Sequence, residues 1–191
     1  AGSGIAHSER ERPEITAGDH RLHGLQLWLA LPESHEETAP AFHHYSGDDI
    51  PSLEIDGVAV RVMIGSAYGV TSPVHQFSET LYLEATLDAG KSLTLPEAPE
   101  RAVYIASGAL RAHGSELPTH TMTVSSSESG VAITATEDAR IAIIGGEPLG
   151  KRFIEWNFVS SSKARIDQAR EDWRAGRFEK VVGDEEAFIP Y

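Results

Sequence analysis

The sequence predicts an all-β fold, an antiparallel sandwich or barrel with one C-terminal helix. Six short β-patterned runs recur at fairly even spacing between residues 58 and 144, turn signals separate them, and only one stretch shows helical periodicity. Ten Pro and 17 Gly among 191 residues supply the many turns such a fold needs.

Taken in chain order, Leu25-Gln26-Leu27-Trp28-Leu29-Ala30-Leu31 alternates strictly between Gly24 and Pro32 and reads as a strand. Residues 33–51 are acidic and turn-rich, with Pro40, Gly47-Asp48-Asp49 and Pro51, and read as a connection. The runs Val58–Ile64, Leu81–Leu87, Ala102–Ala106, Thr121–Val124, Val131–Thr136 and Arg140–Ile144 follow. They are rich in Val, Ile and Thr, which suit a pleated, half-buried surface. Asp56-Gly57, Ser72-Pro73, Asp88-Ala89-Gly90, Ser107-Gly108, residues 125–130 and Gly145-Gly146 break them. The helix follows Ser160-Ser161-Ser162, which offers N-caps. Ile166, Ala169 and Trp173 share one face, and Gly176 is placed to stop it. Asp167 and Glu171 precede Arg170 and Arg174, an order that suits the helix dipole. The tail to Tyr191 lacks periodicity and is expected to lie along another surface.

Composition excludes several chemistries. A formal charge of −13 opposes sequence-independent binding to nucleic acid or to an anionic membrane. No apolar run approaches membrane-spanning length. With no Cys, disulfides, thiolate zinc sites, iron–sulfur clusters and a Cys nucleophile are excluded, which is compatible with a reducing compartment; a cytoplasmic location is the expectation. Nine His leave nitrogen and oxygen ligation as the metal chemistry open to the chain.

His7 and Glu9 are the strongest candidates for such chemistry. On an extended strand, residues two apart project to one face, so both side chains could reach a single ion. A metal takes three or four protein ligands, and none of the six residues before this pair in the sequence is a His, Asp or Glu that could provide the others. The chain opens on Ala1 rather than Met and is expected to begin inside a structural unit, as a fragment cut through a metal site. Taken alone, a solvent-exposed His and Glu near a frayed end is the better reading of the pair. The other His residues carry less. Neighbours His43 and His44 point opposite ways on extended chain and read as surface residues, while His75, His113 and His120 sit in turn-like contexts. His20 and His23 lie where the 25–31 run begins, His23 more in packing or hydrogen bonding than in ligation. Trp28 reads equally as a core aromatic or the wall of a pocket beside a metal. Gly145-Gly146-Glu147-Pro148 lacks the Lys-Ser/Thr of a phosphate loop and reads as a turn ending a strand.

Gly4-Ile5-Ala6-His7 resembles the second metal motif of the cupin family, Pro-x-Gly-x-x-His, with Gly2 where Pro is usual. A wider set of segments resembles the pirin family in order and spacing: residues 2–9, His23-Gly24-Leu25-Gln26-Leu27-Trp28, Ser72-Pro73, Leu81-Tyr82-Leu83 and Gly145-Gly146-Glu147-Pro148-Leu149. Phe158-Val159 and the helix residues Ile166, Gln168-Ala169 and Arg174-Ala175-Gly176-Arg177-Phe178 extend the resemblance over nearly the whole chain.

That resemblance implies a bicupin, two β-barrels in tandem with one metal in the N-terminal barrel. Its four ligands would be an early His-x-His pair and a later His-x-Glu pair. His7 and Glu9 match the later pair, and the earlier pair has no counterpart here. The chain is then expected to hold the remainder of an incomplete N-terminal barrel (1–45), a linker (46–57), a C-terminal barrel without metal (58–150), and a helix with its tail (151–191). In the second barrel the first cupin motif, counted from Gly90, places its His slots on Pro96 and Ala98 and its Glu slot near Arg101 or Ala102, with Gly108 closing the turn. No ligand remains there. The implied cofactor is one divalent ion, iron first, with Mn, Zn, Ni or Cu also suited, completed by ligands absent from this chain. The implied activity is quercetin 2,3-dioxygenase, opening of a flavonol ring by dioxygen, with Glu9 taking the proton of the 3-hydroxyl. The alternative is a non-enzymatic, redox-dependent regulator that binds other proteins. Expected partners are a flavonol-like molecule, dioxygen, other proteins and the missing N-terminal part as a separate chain, with little activity in the fragment alone.

Overall fold

Alternation of apolar and polar residues makes the middle of the chain into two sheets sharing one core. The computed structural model describes residues 2–125 and 127–191. It divides into two units: His43–Pro148, and Leu149–Tyr191 together with the chain up to Phe42.

The first unit holds β1 (Ser52–Ile55), β2 (Val58–Ile64), β3 (Ser66–Ala67), β4 (Val70–Thr71), β5 (Thr80–Leu87), β6 (Ser92–Thr94), β7 (Glu100–Ser107), β8 (Leu110–Ala112), β9 (Ser115–Leu117), β10 (Met122–Ser125), β11 (Ala132–Ala135) and β12 (Ala139–Gly146). One sheet has the order β1-β2-β5-β12-β7-β10 and the other β6-β11-β8-β9, with β3-β4 a separate hairpin. Every pairing is antiparallel. This is the all-β, cupin-type architecture expected, although the two sheets do not close into a continuous barrel.

Period-2 alternation sends Val58, Val60 and Val62 of β2, Leu83, Ala85 and Leu87 of β5, and Ile141 and Ile143 of β12 into the core. Leu93, Leu110 and Ile133 meet them from the four-stranded sheet. Each buried Leu or Ile contributes about 1.5–3 kcal/mol by leaving water. Ser72 is buried as well, and its hydroxyl donates to the Met63 carbonyl at 2.7 Å and accepts from the Val74 amide at 3.2 Å, so its burial leaves no polar atom unpaired.

All six runs predicted between 58 and 144 form strands, with ends that coincide or differ by one or two residues. Gly145 and Gly146 are the last two residues of β12, paired to both β5 and β7, rather than a turn beyond it. Residues 52–55, read as part of a connection, pair with β2. The strands β6, β8 and β9 span three residues each, too few to show a period.

In the other unit, α1 (Pro13–Thr16) is a single turn, β13 (Phe153–Glu155) and β14 (Phe158–Ser160) form a hairpin, and α2 (Lys163–Arg174) is the expected helix. The Ser162 hydroxyl caps α2 by accepting from the Arg165 amide at 3.4 Å. Ile166 and Ala169 are its buried residues, and Gly176 takes φ 66° just past its end. The tail lies on the helix: Phe188 stacks on Trp173 at 5.5 Å, and Trp173 Nε1 donates to the Ile189 carbonyl at 2.9 Å.

The run Leu25–Leu31 is not a strand. No strand among the described residues pairs with it, and Leu25, Leu27, Trp28 and Leu29 are exposed. Alternation alone does not make a strand, because unpaired backbone stays hydrogen-bonded to water. Trp28 is accordingly neither a core aromatic nor a pocket wall among the described residues.

Gly108 turns the chain between β7 and β8 at φ 76°, and a Cβ there would sit 2.2 Å from the Asp138 carbonyl oxygen. Gly108→Ala is expected to destabilise the 43–148 unit by about 2–3 kcal/mol through backbone strain plus that clash. Amide hydrogen exchange of β7 and β12 measures the loss.

Candidate metal centre

His7 and Glu9 lie on backbone without strand pairing, and both are exposed. The shared strand face that would aim them at one ion is therefore not formed by the described residues. Among these residues no group of three or more His, Cys, Asp or Glu side chains is placed to hold a metal ion. Two donors, one imidazole and one carboxylate, fall short of the three or four that a metal site takes. The described residues by themselves do not build the centre.

Several contacts nevertheless fix the segment that carries the pair. The Ser3 amide donates to the Thr38 carbonyl at 2.9 Å, and Arg165 Nη2 donates to the Ser3 carbonyl at 3.0 Å. Gly4, at φ 124°, lies so close to Phe178 that a Cβ would stand 2.8 Å from its ring. The glycine of the Gly-x-x-His motif is thus held against the residues that follow α2. On the other side of the pair, Arg10 grips Asp184 with bonds of 2.7–3.0 Å. Arg10, then Ser8, hold the Asp184 carboxyl below its usual range.

Glu36 is the polar hub of this unit, and sequence reading passed over it. Its carboxylate accepts from the Ser161 amide at 2.9 Å, from the Ser161 hydroxyl at 2.7 Å and from the Ser160 hydroxyl at 3.2 Å. Arg152 Nε lies 2.7 Å away, bent too far for a hydrogen bond, so that contact is ionic. The rest of the guanidinium donates to the Leu149 and Leu31 carbonyls at 2.8 and 2.9 Å. Burial works to raise the Glu36 pKa, but the Ser161 bonds, the Arg152 charge and Ser160 together bring it below its ordinary value of 4.5. The carboxylate also sits at the N-terminal end of α2, where negative charge is favoured.

The cupin slots of the other unit are occupied by groups that cannot ligate. Pro96 and Ala98 are buried, and Arg101 is 2% exposed. Arg101 shares a strand face with core residue Val103 and donates to the carbonyls of Pro96 (2.7 Å) and Glu128. A guanidinium stands near where the motif would place a carboxylate, so a metal cation would meet positive charge. Tyr68 responds to the same interior: burial pushes its hydroxyl up to about 12 despite the nearby Arg101, and it donates to the Thr94 carbonyl at 2.6 Å.

Comparison with known proteins decides the lineage. Residues 82–179 match the family model of the pirin C-terminal cupin domain. A pirin-like protein of Caulobacter vibrioides is 44% identical over 192 residues, covering 100% of this chain and 66% of that protein. The chain belongs to the pirin family. Human pirin is 33% identical over 184 residues, 91% of this chain and 61% of its own length. The crystal structure of a quercetin 2,3-dioxygenase from Acinetobacter baumannii superposes with a TM-score of 0.76 at 27% identity, covering 86% of this chain and 56% of that one. The chain therefore spans about two thirds or less of the length of these pirin relatives.

The remaining His residues of this pirin-family chain stay apart from any centre. His20 Nε2 contacts Glu11 at 2.8 Å. His23 is exposed rather than packed. His43 and His75 face each other with ring centroids 6.2 Å apart, and Phe77 packs edge-on against His75 at 4.8 Å. His113 and His120 occupy exposed turns at positive φ, 48° and 60°.

Because the Glu36 pKa is lowered on folding, its contribution is present above pH 4.5 and is lost as pH falls through the folded value. Asp184 and Asp172, held low by Arg10 and Arg177 respectively, act in the same direction. All three Trp residues belong to this unit, so tryptophan emission follows its unfolding alone. The denaturation midpoint is expected to fall below pH 4.5. Glu36→Gln is expected to reduce that dependence and cost about 2–4 kcal/mol at pH 7 by removing the nearer counter-charge of Arg152 and leaving it only the more distant Glu33, at 3.9 Å.

Proposed function

We propose that this chain is part of a metal-dependent pirin with quercetin 2,3-dioxygenase-type activity, opening a flavonol ring with dioxygen. The observation that carries the reading is the likeness to the A. baumannii quercetin 2,3-dioxygenase, which covers 86% of this chain at a TM-score of 0.76. The Gly4-x-x-His7-x-Glu9 motif, seated by Phe178 on one side and the Arg10–Asp184 pair on the other, supports it.

In this reading His7 and Glu9 supply two of the ligands, and residues outside this chain supply the rest. A bound redox-active ion, iron first, would contribute oxygen activation and hold the substrate's enolate. Glu9 has a further role open to a carboxylate: an Oε accepts the proton of the flavonol 3-hydroxyl, which makes that enolate. The nitrogen and oxygen donor set agrees with a chain that has no Cys.

The test uses the intact protein, with metal analysis and oxygen uptake measured on a flavonol. A His7→Ala/Glu9→Ala variant is expected to lose bound metal and to lower flavonol-dependent oxygen uptake about a hundredfold. Uptake by the unaltered protein no greater than that of the variant would overturn the proposal.

A further inference from the structure

We infer that the 43–148 unit, beyond the proposed activity, binds a small neutral aromatic alcohol, a phenol of one or two rings, in a cavity between its two sheets. The cavity has a volume of about 250 Å³. Its floor is Leu95, Val103 and Ile133, each at most 3% exposed. It exists because β10 ends one sheet and β9 ends the other, and no strand among the described residues joins these two edges. The core is therefore reachable from the side, past Ala112 and Leu117 of the β8–β9 hairpin.

Size, polarity and charge define the occupant. An apolar cavity of about 150 Å³ takes benzene, and drug-sized ligands need about 300–1,000 Å³. The present volume lies between, room for one or two rings. Water gains little there, because most of the lining offers no hydrogen bond. Polar groups gather at the β10 edge. Thr123 pairs with Val103 across β7 and β10 and so shares its inward face, and His113 stands at the turn of the β8–β9 hairpin. A hydroxyl can donate to or accept from the Thr123 hydroxyl, which a plain hydrocarbon cannot. Among the described residues no Lys, Arg, Asp or Glu side chain lines the cavity, and the chain carries a formal charge of −13. A neutral ligand is favoured over an anion on both counts.

The test titrates the full chain with 2-naphthol, naphthalene and 2-naphthoate, following 2-naphthol fluorescence and ligand-observed NMR. Saturable one-to-one binding of 2-naphthol is expected, with 2-naphthoate at least tenfold weaker. Ala112→Phe fills the cavity and is expected to weaken 2-naphthol at least tenfold. Should that variant fail to fold, Thr123→Val preserves shape and removes the hydroxyl, and is expected to erase the preference for 2-naphthol over naphthalene. No saturable binding, or no change in either variant, overturns the inference. Binding that survives Ala112→Phe and disappears in His7→Ala/Glu9→Ala also overturns it, and assigns the ligand to the proposed flavonol site instead.

Discussion

Hydrogen bonding between neighbouring backbones governs what this chain can and cannot build. From residue 52 to residue 146 each apolar run of the two main sheets finds antiparallel neighbours, and the paired edges let Val, Ile and Leu leave water together. Residues 25–31 alternate as cleanly as any of those runs but have no strand neighbour among the described residues, and Leu25, Leu27 and Leu29 stay exposed. Pattern proposes a strand, and a partner is needed to make it one.

The two units are held by different means. Residues 43–148 rely on a single apolar core from two facing sheets. The other unit buries few large side chains and leans on directional contacts instead. Glu36 joins Arg152 to Ser160 and Ser161, Arg10 grips Asp184, and Trp156, Trp173, Phe158 and Phe178 meet ring to ring. Such contacts are individually modest, and several are exposed to screening.

Much of the sheet architecture was legible because β2, β5, β7 and β12 are long enough to display a period of two. The three-residue strands were not, since no period can be read from so few positions. The helix was legible in its cap, its face and its stop. Of the candidate centre, the identity and spacing of His7 and Glu9 could be read, but their convergence could not, because it depends on partners elsewhere in space. Glu36 looked like one more acidic residue in a polar stretch. Its role comes from Arg152 and Ser161, more than a hundred positions away, and no local pattern announces that meeting.

Arg101 makes a metal site hard to install in the 43–148 unit. Its guanidinium satisfies the Pro96 and Glu128 carbonyls from inside the fold. Replacing Arg101 by an acid would strand those oxygens and bury an unbalanced negative charge. Placing imidazoles at 96 or 98 first would crowd them against a fixed cation. Each of these single steps passes through a less stable protein. The interior of the 43–148 unit is thereby committed to a cation of its own.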